Sequence, residues 1–146
     1  MDVQQADQVQ KDVLIKFKFS TPQYGQARGP LMLVRPRVLG ENSKSVEHKP
    51  RHYSVELGGT EREIDSYEIE IPKGYSVDDM PDPAKIDVGF ASYQSKFEVD
   101  GNKLRYWREY IVRELSVPPE KFGDWATLQG VIGADETAAA VLKRVP

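Results

Sequence analysis

Few residues of this chain combine type and spacing in a way that could do chemistry. His48 and His52 stand four apart, a spacing that on a helix would turn two imidazoles to one face. Pro50 lies between them, and a metal site would need a third and a fourth ligand that no neighbouring motif supplies. The expectation is two exposed loop histidines. Asp78, Asp79 and Asp82 form an acidic cluster in a Pro-rich stretch. Calcium takes six to eight oxygens and often uses such loops, but EF-hand spacing is missing, so a solvated loop is expected. Glu68 and Glu70 alternate along one strand face, the pattern of a wet surface rather than an acid–base pair. No serine sits in a nucleophile-elbow motif, and Gly58-Gly59 is too isolated to cradle phosphate. The chain has no cysteine, which removes disulfides, thiolate ligands and cysteine nucleophiles together. No catalytic residue, metal or cofactor is assigned, and the chain is expected not to be an enzyme.

The aromatic residues are the remaining candidates. Tyr93, Tyr106, Trp107, Tyr110 and Trp125 could form a platform for a sugar or a peptide. The element that positions four of them is a hairpin over Phe90–Leu115. Two registers are possible around Asp100-Gly101-Asn102-Lys103. With Gly101-Asn102 as the loop, Val99 faces Leu104, Phe97 faces Tyr106, Tyr93 faces Tyr110, Ala91 faces Val112 and Glu98 faces Arg105. That register places apolar residues opposite apolar ones, and a one-residue slip would turn every side chain to the wrong face. Gly and Asn both tolerate the positive φ of a type I′ turn, so Asn102→Val is expected to cost about 1 kcal/mol. Paired in this way, Tyr93, Tyr106 and Tyr110 are core or sheet-covering residues. Trp107 falls on the opposite face, between Arg105 and Glu109, and is the weak candidate for a ligand or partner surface.

The rest of the chain is mostly strand. Residues 1–11 read as a flexible lead, followed by one domain over 12–146. Val13, Ile15, Phe17 and Phe19 alternate with Lys16 and Lys18, predicting a half-buried strand. Leu31–Val34 is a short apolar strand, extending to about Val38, with Pro36 suited to a sheet edge. Gly40–Pro50 is a polar loop. Tyr53–Leu57 and Tyr67–Ile71 alternate as strands, and Tyr75–Lys85, with Pro81 and Pro83, crosses between layers. After Pro118-Pro119 the period changes. Phe122, Trp125, Leu128, Val131 and Ile132 recur at helical spacing, predicting a helix near 118–133 that Gly133 ends. Thr137–Val145 favours helix by its alanines and strand by its Val-Leu-Lys-Arg-Val run; strand is the expectation. Short strands with frequent turns predict an antiparallel, immunoglobulin-like β-sandwich with one C-terminal helix.

Length and charge bound the function. At 146 residues the chain is long enough for one real core. Its net charge of −3, with both signs interspersed, argues against a nucleic-acid partner. No apolar run approaches the ~18 residues of a membrane span, and the N-terminus lacks the apolar centre of a signal peptide.

Three stretches carry a family resemblance: RHYSVEL at 51–57, IEIPKGYSVDDMPDPAKIDVGFASYQSKFEVDGNKLRYWREYIVRELSVPPEKF at 69–122, and AVLKR at 140–144. GPLMLVRPRVLG at 29–40 is similar to the lead-in. They resemble a bacterial domain of unknown function that follows the transglutaminase-like catalytic core at the C-terminus of large, often exported proteins. The resemblance implies a β-sandwich with a late helix, an extracytoplasmic location and a partner in the same parent chain, the catalytic core. None of that core's Cys-His-Asp triad carries over, because no cysteine is present to act as nucleophile. The implied role is a non-catalytic accessory domain; the alternative is a free-standing glycan- or peptide-binding module that uses the Trp107 face.

Overall fold

The computed structural model describes residues 1–146 other than 22, 23, 42, 47, 48, 50 and 146. In chain order its strands are β1 (Asp2–Gln4), β2 (Leu14–Lys16), β3 (Gln26–Arg28), β4 (Leu31–Val34), β5 (Val55–Glu56), β6 (Glu61–Glu70), β7 (Tyr75–Asp79), β8 (Lys85–Asp87), β9 (Ala91–Asp100), β10 (Lys103–Val112), β11 (Ser116–Val117) and β12 (Ala140–Arg144). One helix, α1 (Phe122–Thr137), precedes β12 and follows a 3-10 turn at Pro119–Lys121. The architecture is an antiparallel β-sandwich. One four-stranded sheet has the order β6-β10-β9-β8 and the other β3-β4-β12-β7, while β1-β2 and β5-β11 are small separate pairs.

The central hairpin has the register that apolar matching requires. Tyr110 lies opposite Tyr93, Tyr106 opposite Phe97, Leu104 opposite Val99 and Arg105 opposite Glu98. The turn differs in type. Gly101 has φ +59°, whereas Asn102 is not among the residues with positive φ. A positive φ at the first central position alone is the II′ pattern, which also matches the right-handed twist of the strands. Glycine therefore carries the conformational demand, and Asn102 carries none.

Helix α1 buries Phe122, Trp125, Leu128 and Ile132. They join Phe90, Ala91, Tyr93, Tyr110, Val112 and Val117 in one cluster. The helix does not stop at Gly133. That residue lacks the positive φ of a C-terminal cap, and its Cα side lies against Ser43. The chain leaves the helix at Ala138, whose ψ of 143° is extended. The alanines then enter β12, central in its sheet, where Ala140 and Leu142 are fully buried. Burial between two neighbours outweighs the modest helix preference of alanine.

Within residues 1–11, Asp2–Gln4 pairs with Leu14–Lys16. Two further expectations are corrected. The Val13–Phe19 stretch is not half-buried: Val13, Ile15, Phe17 and Phe19 are 58%, 54%, 43% and 52% exposed, and among the described residues β1 and β2 form a two-stranded sheet of their own, outside both four-stranded sheets. Pro36 is not on an edge strand. β4 is interior, between β3 and β12, and ends two residues earlier at Val34, so the missing N–H of Pro36 breaks no ladder. Residues 80–84 do cross between layers, from β7 in one sheet to β8 in the other.

Candidate functional site

Period-2 alternation sends Ser95 of β9 and Tyr106, Arg108 and Tyr110 of β10 to the helix-bearing face, with Glu63 and Asp65 of β6 beside them. The last turn of α1 lowers Asp135 onto this face. Asp135 Oδ2 accepts hydrogen bonds from the Tyr93 hydroxyl at 2.5 Å and the Tyr106 hydroxyl at 2.6 Å, and Oδ1 accepts one from Ser95 Oγ at 2.6 Å. The two phenol oxygens are 3.1 Å apart, and Ser95 Oγ also accepts the Ala84 N–H. Beside this group Arg108 is fully buried. Its Nε donates to Asp65 at 2.6 Å, and its Nη2 donates to Glu63 at 2.8 Å.

Burial sets the electrostatics. The Tyr93 and Tyr106 phenols are raised well above the ordinary tyrosine range, first by burial and then by hydrogen bonding to Asp135. Both therefore act as donors across the ordinary pH range. Burial works against the charge of Arg108, but the carboxylates of Asp65 and Glu63 outweigh it and raise the guanidinium. A second buried pair, Arg37 with Glu136, ties Arg37 to the helix. Glu136 accepts the Ser43 N–H, and Gln129 Oε1 accepts the Lys44 N–H at 2.7 Å.

Two shallow clefts flank this 43–46 strap, with Lys44 and Trp125 lining both. The larger is about 220 Å³ and also receives Tyr110, Glu61 and Leu57; the smaller is about 160 Å³. Tyr110 is pushed up to about 12, by burial and then by the charges of Glu61 and Glu63. A phenol so placed can donate a hydrogen bond into the cleft but is a poor base near neutrality.

Residues 31–141 match the family described as "Domain of Unknown Function with solved-structure structure (DUF3858)". The chain belongs to this family. No curated protein matches the DUF3858 chain. Among solved structures it is similar to a Parabacteroides distasonis protein described as a candidate protease, with a TM-score of 0.65 and 16% identity. The likeness covers 81% of this chain and 24% of that one, so the chain spans about a quarter of that protein's length. At this identity the likeness is one of fold.

The DUF3858 fold separates the residues that sequence spacing had grouped. Tyr93 and Tyr106 converge on Asp135, Tyr110 and Trp125 line the larger cleft, and Trp107 lies on the opposite face, half-buried, between Ser66 and Lys96. Its neighbourhood carries the Arg62–Glu109 ion pair, the Gln94–Glu109 hydrogen bond and Ile64, which is 47% exposed. His48 lies outside the described residues, and His52 is exposed. Asp78, Asp79 and Asp82 are exposed; among the described residues no group of three or more His, Cys, Asp or Glu is placed to hold a metal ion. Glu68 lies on the wet face, paired with Lys103 and Arg105. Spacing missed Asp135, Ser95, Arg108, Asp65 and Glu63. Two signals were available: Asp65 and Glu63 share the inward phase of Tyr67 and Ile69 on β6, and Asp135 follows Leu128 and Ile132 at helical spacing.

Proposed function

We propose that this DUF3858 domain is a non-catalytic accessory domain of a transglutaminase-like protein, which packs on or orients the catalytic core in the same parent chain. The observation that carries the reading is the domain-sized match to about a quarter of a much longer protein, itself described as a candidate protease. The resemblance of residues 51–57 and 69–122 to the region that follows transglutaminase-like cores supplies the partner. The buried polar groups support a structural rather than a chemical use. Both Asp135 oxygens are occupied by hydroxyls of the domain itself, and the Arg108 guanidinium is held by two carboxylates.

Calorimetric titration of the isolated catalytic core with this domain tests the reading. Saturable binding, with a rise in the melting temperature or a change in the activity of the core, is expected. Neither binding nor any such change would remove it.

A second reading rests on Trp107. It shares its face with Ile64 and Ile111 among polar and charged neighbours such as Ser66, Gln94 and Lys96, a composition suited to stacking on a sugar or a peptide side chain. A glycan and peptide array read against Trp107→Ala separates the two. Signal that disappears with the tryptophan favours the binding module, and no signal for the parent domain ends it.

A further inference from the structure

Strand β6 is ten residues long and lies at the edge of its sheet. The Ile71 N–H donates to the Asn102 carbonyl at 2.7 Å. Odd-numbered residues of β6 therefore turn their backbone groups toward β10, and Arg62, Ile64, Ser66, Glu68 and Glu70 turn theirs outward. Among the described residues these outward groups have no backbone partner. A long straight edge is a template for a further strand, which folds usually blunt by shortness or cover. The opposite edge of the same sheet, β8, is only three residues long.

The same chain holds a segment with the complementary pattern. By alternation Val13, Ile15, Phe17 and Phe19 fall on one face of the stretch and Leu14, Lys16 and Lys18 on the other, with Leu14–Lys16 in a strand. Among the described residues of one chain this arm pairs only with residues 2–4, its five apolar side chains are 40% to 58% exposed, and Phe17 stacks on Phe19. A lone two-stranded ribbon with a bare apolar face is marginal in water. Laid antiparallel on β6 with Phe17 opposite Ile69, the arm sets Phe19 opposite Tyr67 and Ile15 opposite Ile71 on the inward side. Lys18 then meets Glu68, and Lys16 meets Glu70, on the outer side. Within the chain Arg108 holds Glu63 and Asp65, and Lys103 and Arg105 hold Glu68, so Lys18 joins the cations already on Glu68, Lys16 meets the carboxylate of Glu70, and charge and apolar phase agree in one register.

We propose that residues 13–19 of one copy add as a fifth strand to the β6 edge of a second copy, reciprocally, to form a two-fold dimer. Within one chain the arm lies elsewhere, so the edge is filled in trans. Reciprocal exchange uses the same contact twice, as a self-complementary two-fold interface does.

Sedimentation equilibrium of the 146-residue chain reads the assembly directly. A dimer is expected, and deletion of residues 1–20 should leave a monomer. Lys16→Glu with Lys18→Glu should weaken dimerisation about tenfold or more, the equivalent of ~1.4 kcal/mol, and Glu68→Lys with Glu70→Lys in the same chain should restore it. The lack of cysteine makes a second readout clean. Lys18→Cys with Glu68→Cys places two Cα atoms about 5.5 Å apart in this register, within disulfide range, so oxidation should give covalent dimers. A monomeric parent chain, a dimer that survives the deletion, or a disulfide formed within one chain would each overturn the proposal.

Discussion

Replacing Asp135 by alanine should be among the most damaging single substitutions in this domain. The carboxylate accepts three hydroxyl hydrogen bonds within 2.6 Å, all in a region where Tyr93 and Tyr106 are 1% exposed. Hydrogen bonds to a charged group contribute about 1.5–3 kcal/mol each. The sum is not fully lost, because the two tyrosine hydroxyls, 3.1 Å apart, can still bond to each other. Ser95 Oγ likewise retains the Ala84 N–H. A loss of about 3–5 kcal/mol is expected, a large share of the roughly 5–15 kcal/mol available to a domain. In urea, with a slope of about 2 kcal/mol per molar, the midpoint should fall by roughly 2 M at unchanged slope. The coupling can be isolated with Tyr93→Phe, Asp135→Ala and the double variant, for which an interaction of about 1–3 kcal/mol is expected. A loss below about 1 kcal/mol for Asp135→Ala, or a coupling indistinguishable from zero, would refute the claim that this carboxylate fastens the helix to the sheet.

Gly101→Ala should destabilise the hairpin by about 1–2 kcal/mol because its φ is +59°, whereas Asn102→Ala should change stability by less than about 0.5 kcal/mol; equal losses in thermal unfolding would reverse the turn assignment. Glu136→Ala leaves the buried Arg37 guanidinium without this carboxylate and should cost about 3 kcal/mol or more. It should also speed amide exchange at Ser43, whose N–H loses its acceptor; unchanged exchange there would show that the strap is held otherwise. Tyr110 has its pKa raised to about 12 in the folded state, so above pH 10 the unfolded chain loses the proton first. Its contribution, about 3 kcal/mol, is therefore complete below pH 10 and is lost as pH rises toward 12. Urea midpoints followed over that window should fall less steeply for Tyr110→Phe, and parallel curves would contradict the assignment.

The elements that sequence determined by itself are those set by near neighbours. The hairpin register follows from five cross-strand pairs close to one turn, and a slip would have set apolar side chains opposite polar ones. The wet face of Glu68 and the start of helical structure after Pro118-Pro119 are equally local, one in a period of two and the other in proline geometry. The strand at Ala140–Arg144 was legible in its Val-Leu run despite the alanines, although its central position came only from the stacking of β4, β12 and β7.

What tertiary structure alone decided lies where distant segments meet. Asp135 is 42 residues from Tyr93 and 29 from Tyr106, and Arg108 is 43 from Asp65. The period of the helix puts position 135 on the face of Leu128 and Ile132, but it does not say what receives a carboxylate there. Its cost of burial is offset only once three hydroxyls from another layer surround it. The same reasoning explains why the helix continues past Gly133: a local stop signal yields to the bonds that Asp135 and Glu136 make two and three residues later. The arm at 13–19 shows the converse. Its alternation predicts a covered strand, but alternation specifies only that one face is apolar, and a partner surface decides whether that face is buried.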